Sequence, residues 1–135
     1  MTNTHSHTSP SVPVRGLLAV ALAIVLNVVL VLGANAIGVA PGFRALTIPP
    51  VAFLSALGAG GATLVYWLLR RYVGVTDRTF VRLAGGVLLL SFLPDVALLA
   101  VDPSATPLAV VLLMAMHVVV AAVAVGLLVY WRAGE

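Results

Sequence analysis

Asp95 and His117 are the side chains of this chain whose chemistry stands out most from their surroundings. Asp95 closes the stretch Ser91-Phe92-Leu93-Pro94-Asp95, and His117 closes Leu113-Met114-Ala115-Met116-His117 in the next apolar segment. A carboxylate and an imidazole within hydrocarbon-loving sequence are costly unless they pair, face a protein interior or line a water-filled path. Such residues are the usual parts of proton and ion relays, so one expectation is a proton, ion or small-solute path through the pair. The simpler expectation is that Asp95, His117, Asn27, Asn35, Ser55 and Ser91 form an intramembrane polar cluster that hydrogen-bonds across helices. Bonds of that kind average only about 0.6 kcal/mol and fix register without implying transport. Binding of a further ligand is the third. Burial raises a carboxyl pKa and lowers that of an imidazole while pairing opposes both, so the sequence leaves their charge states open.

Pro94 bears on the same place. It supplies no N–H and crowds the carbonyl of Leu90, which predicts a kink in its helix and a freed acceptor beside Asp95. Ser91, Asp95 and Asp102 fall on one helical face, a geometry that suits an outward-opening polar crevice.

Other chemistry finds little support. A lone Asp and His lack an evident nucleophile, metal set or phosphate site, so no catalytic residue is assigned and no enzyme is expected. Met114 and Met116 beside His117 have the look of a soft-metal site, but methionine is an ordinary gap-filler in apolar cores. His5 and His7 lack a third ligand. The glycine run Gly58-Ala59-Gly60-Gly61 has no Lys and no preceding strand, which argues for close helix packing over a phosphate loop. No metal and no cofactor is predicted, and without Cys there is no disulfide or thiolate chemistry.

The elements that must position these residues follow from composition. Of 135 residues 62% are hydrophobic and 8% charged, far from the soluble balance of roughly 45–50% apolar and 25% charged. The chain reads as an all-α, polytopic integral membrane protein. A Thr-, Ser- and Pro-rich tail, 1–13, has too little apolar surface to order itself. A four-helix transmembrane domain, 14–132, then follows, with spans at about 14–39, 48–69, 80–101 and 108–131, each long enough for a bilayer core of roughly 30 Å. Ala34-Asn35-Ala36 after Arg15 has the form of a signal-peptide cleavage site, but the apolar run is longer than the roughly 7–15 residues of a signal peptide's core, which favours a retained span.

Small residues mark the contacts. Gly16, Ala19, Ala23, Asn27, Val31, Ala34 and Gly38 share one face of the first span, and Ala52, Ser55, Ala59, Ala62 and Tyr66 one face of the second, predicting that these stripes meet. Thr47, Thr76 or Asp77, and Thr106 are expected helix caps, the last with Pro107 in its first turn.

All seven positive residues are Arg, and they sit at the ends of spans. Arg15, Arg70, Arg71, Arg78, Arg82 and Arg132 gather on one side and Arg44 alone on the other, which predicts both termini in the cytoplasm, an N-in/C-in topology. Such placement suits a lipid bilayer, not nucleic acid. By helical rise, Asp95 lies roughly 9 Å and His117 roughly 16 Å below the outer ends of their helices, a gap that calls for a bridging water or Ser91.

The Leu93-Pro94-Asp95 element, the small turn after it and the Leu113-to-His117 run resemble domain of unknown function 6069, a family of small four-helix prokaryotic membrane proteins, over about Arg15 to Arg132. The resemblance implies a four-helix membrane fold, carries over only Pro94, Asp95 and His117, and brings no activity. The expected function is therefore that of a multi-pass component of the cell (cytoplasmic) membrane, structural or interacting and without catalysis. Its partners would be the bilayer and either further copies of itself or another membrane protein. The alternative is a small transporter or channel using Asp95 and His117.

Overall fold

The computed structural model describes residues 10–131. The tail up to residue 9, with His5 and His7, and the end from Arg132 onward lie outside the described residues. Among the described residues the fold is an all-α membrane bundle, with four helices long and apolar enough to cross a bilayer.

α1 spans Val12–Ala36. It starts two residues before the sequence suggests because Pro13 sits in its first turn, where a fixed φ and a missing N–H cost nothing. It stops short of Val39 because Gly38 takes φ 68, a left-handed turn no helix continues through. The connection that follows is folded: Arg44–Leu46 forms a short 3-10 turn, and Ala40, Phe43 and Leu46 are buried under it against Val31, Val51 and Ala109. The loop thus plugs one end of the bundle.

α2 spans Ile48–Leu68, with Pro at its start. The expected cap at Thr47 is absent. Thr47 has extended backbone angles, but its hydroxyl donates to the Arg44 carbonyl at 2.7 Å and makes no bond to the helix. α2 runs on as a wide π turn, Leu69–Val73, closed by Gly74 at φ 68, whose N–H donates to the Leu69 carbonyl at 2.9 Å.

α3 spans Asp77–Val101, capped by Thr76, whose hydroxyl accepts from the Thr79 N–H at 3.3 Å. It continues through Pro94. α4 spans Pro107–Val125, with the Thr106 hydroxyl accepting from the Ala109 N–H at 3.1 Å and Pro107 in the first turn. It too ends in a π turn, Gly126–Tyr130.

Packing is uneven. α1, α2 and α4 contact one another, with α1 against α2 the most extensive pair, whereas α3 has α4 as its one extensive neighbour. The small stripe of α1 is the buried one: Gly16, Ala19, Ala23, Asn27, Val31 and Ala34. Ala19, Ala23 and Ala59 are fully buried together where α1 meets α2. At Gly16 an added Cβ would stand 2.2 Å from Thr63 Cγ2, so only glycine permits this approach. α3 by contrast buries only Phe80 and Asp95. In lipid no hydrophobic force drives helices together, so an apolar helix is content to face acyl chains.

Candidate site at mid-bundle

Two polar contacts hold the middle of the bundle. In the first, Asn27 of α1, 2% exposed, donates from Nδ2 to Ser55 Oγ of α2 at 2.8 Å and to the Met116 carbonyl of α4 at 3.3 Å. One side chain therefore ties the three mutually packed helices. Its Oδ1 is buried without a hydrogen-bond donor.

In the second, His117 Nδ1 of α4 lies 3.0 Å from Asp95 Oδ2 of α3. The same nitrogen is 2.9 Å from the Leu113 carbonyl. A carbonyl only accepts, so Nδ1 carries a proton in that bond. The proton aims at Leu113, and Asp95 Oδ2 is left close to the ring but without an aligned donor. Asp95 is buried and the His117 side chain is 34% exposed.

The direct contact replaces the bridge that helical rise suggested. α3 and α4 are joined by a tight turn and run in opposite directions, and side chains lean toward the N-terminal end of their own helix. Asp95 and His117 therefore lean toward each other's level, His117 visibly so in its bond to Leu113 one turn back.

The remaining residues of the expected cluster stand apart. Ser91 donates to the Leu88 carbonyl of its own helix at 2.6 Å. Asn35 donates to the Leu46 carbonyl at 3.3 Å and so ties the end of α1 to the connecting loop. Asp102 accepts from the Ser104 hydroxyl and from its backbone N–H, the latter at 2.9 Å, which holds its carboxyl below the ordinary carboxylate range. It closes the α3–α4 turn. The six residues thus make two interhelical contacts and two local ones.

A third polar group escapes a reading by depth. Arg70 donates to Asp77 Oδ1 at 2.8 Å and to Tyr66 Oη at 2.9 Å, and Tyr66 donates to Asp77 Oδ1 at 3.1 Å. The Tyr66 ring stands edge-on to Phe80 at 4.8 Å between centroids. This cluster fastens α2 to the start of α3 across a short linker. The sequence signal for it is the seven-residue separation of Arg70 and Asp77 across Gly74. Nearby, Arg15 donates to the Leu128 carbonyl in the terminal π turn at 2.6 Å.

Among the described residues no three His, Asp or Glu side chains converge as metal ligands. A cleft of about 570 Å³ opens between α2 and α3 with α4 as its floor. Asn27, Ser55, Ser91 and His117 supply its polar lining, and the rest is apolar. The family described as "Family of unknown function (DUF6069)" matches residues 7–133. No curated protein and no solved structure is matched.

Proposed function

The chain belongs to the DUF6069 family of unknown function, and because that membership brings no activity with it we infer the role from the bundle: a structural or interaction component of a membrane, without catalysis. The observation that carries this reading is the layer of Ala19, Ala23 and Ala59, each fully buried, which lies between the Asn27 tie and the Arg-rich end. Side chains without polar atoms give no foothold to water or ions between α1 and α2, while small residues are what close helix contact requires. The polar contacts then serve to fix register. The weak packing of α3 supports the interaction part of the reading, since most of its surface is free for a partner helix.

We assign the protein to the cell membrane with both termini in the cytoplasm, on the gathering of Arg70, Arg71, Arg78 and Arg82 at one end against Arg44 at the other. The test of the role is purification of the full chain in mild detergent, with mass analysis of whatever accompanies it. A second membrane protein, or a second copy, at fixed stoichiometry is expected. A solitary monomer that carries protons or ions when reconstituted into liposomes would overturn the reading.

One observation favours the transport alternative. The Asp95 carboxyl lies 3.0 Å from a ring nitrogen of His117, the hydrogen-bond reach that proton exchange between the two requires. Flux in liposomes that vanishes in both Asp95→Asn and His117→Gln would select it.

A further inference from the structure

The cleft between α2 and α3 has a composition that the register-fixing contacts leave unexplained. Its walls are apolar side chains such as Leu57, Val65, Leu83 and Val87, and its polar groups gather toward one end, where Ser55, Ser91 and His117 lie. His117 lines it. Nδ1 is turned back to the Leu113 carbonyl and to Asp95, which leaves Nε2, with no partner among the described residues, for the cleft. An imidazole nitrogen without a partner beside apolar walls calls for a hydrogen-bonding guest.

We propose that this cleft binds an uncharged, lipid-soluble molecule with one hydroxyl group and a long apolar body, the hydroxyl meeting His117 Nε2 and the body lying between α2 and α3. Each part of that description comes from the lining. Neither a carboxylate nor an Arg lines the cleft to hold a charged guest, and Asp95 directly behind the imidazole disfavours an anion. A hydroxyl both donates and accepts, so it satisfies Nε2 whether or not the ring is protonated. The cleft volume, about 570 Å³, falls within the roughly 300–1,000 Å³ of small-ligand sites. It is too small to seat a partner's transmembrane helix. Mid-bundle depth also excludes a phospholipid held by its headgroup, which would stay at the bilayer surface. The guest must dissolve in the hydrocarbon and enter from the side, through the gap that α3 leaves beyond its first turns by taking α4 as its one extensive neighbour.

Gly61 offers a way to close the site. It lines the cleft, and a Cβ added there meets nothing within 4 Å. Gly61→Leu therefore adds bulk to the cleft from a Cβ that strikes no neighbour, and it replaces a poor helix former by a good one. Gly86 of α3 is equally open but lies off the cleft, so Gly86→Leu is the matched control.

The experiment uses the full chain in lipid nanodiscs with hexadecan-1-ol carrying a mid-chain diazirine, and maps the photo-adducts by mass spectrometry. Adducts are expected on Leu57, Val65, Leu83 and Val87, and excess unlabelled hexadecan-1-ol should displace them. His117→Phe, or the methyl ether of the same probe, should lower labelling about fivefold, the value of one net hydrogen bond. Gly61→Leu should abolish it and Gly86→Leu leave it intact. Equal labelling by alcohol and ether, indifferent to His117→Phe, would mean that bulk lipid chains fill the cleft and would overturn the proposal. So would labelling that no competitor displaces, or α2–α3 residues crosslinked to a second copy in place of the probe.

Discussion

Asp95 and Asn27 are both buried polar side chains, yet their neighbours predict different sensitivities. Asn27 donates to two acceptors on two other helices, so Asn27→Ala should remove both bonds and leave a void, costing about 1–3 kcal/mol in detergent unfolding. Asp95 has a close imidazole but no aligned donor on Oδ2, so Asp95→Asn should shift stability by less than about 1 kcal/mol. Equal losses in the two variants would contradict this ranking. At the α3–α4 turn, the Ser104 hydroxyl and N–H hold the Asp102 carboxyl low. A carboxyl depressed by folding stabilises the fold in full above its unfolded value of about 3.9 and loses that contribution as pH falls through the lower folded value. The turn should therefore loosen only in acid below about pH 4, and Ser104→Ala should return the Asp102 titration, followed by NMR, toward about 3.9. Asp95, His117 and Asn27 were legible in the sequence because polar residues are conspicuous in apolar runs. What the sequence hid was pairing: depth along a helix ignores the lean of side chains, which brings Asp95 to His117 and leaves Ser91 on its own helix.

The α1–α2 contact rests on small residues at helical spacing, and its tolerance should follow the space at each position. Ala59 is fully buried between the helices, so Ala59→Leu should overpack the contact and cost about 1–3 kcal/mol. Gly16→Val should do at least as much harm, since Thr63 already occupies the place of a Cβ. Gly33, also in α1, meets nothing, so Gly33→Ala should be neutral or stabilise by up to about 1 kcal/mol. Thermal unfolding of the three variants in one detergent checks the order. These stripes could be read because periodicity of small residues is a direct record of close approach. The π turns at Leu69–Val73 and Gly126–Tyr130 could not. Each is closed by an N–H reaching back five residues, from Gly74 and from Trp131, and nothing in residue type announces that choice. The detachment of α3 was equally hidden, because a helix apolar on every side does not reveal which side has neighbours.

At the scale of the molecule, reporter fusions should put Asp102 outside and Arg71 inside, and export-type activity from a fusion after Arg132 would refute the N-in/C-in topology. The number of spans was legible from apolar length alone, whereas their arrangement as a packed trio with an attached fourth was not. That arrangement sets the order of synthesis against the order of assembly. α3 leaves the ribosome before α4, yet apart from its first turn, which Tyr66 holds through Asp77, its seat is on α4. During translation α3 must wait in lipid beside a finished α1–α2 hairpin until the last helix arrives to receive it. A nascent chain stalled before Pro107 should thus have a folded hairpin and an unanchored third helix, with Asp95 still lacking the imidazole that will stand next to it.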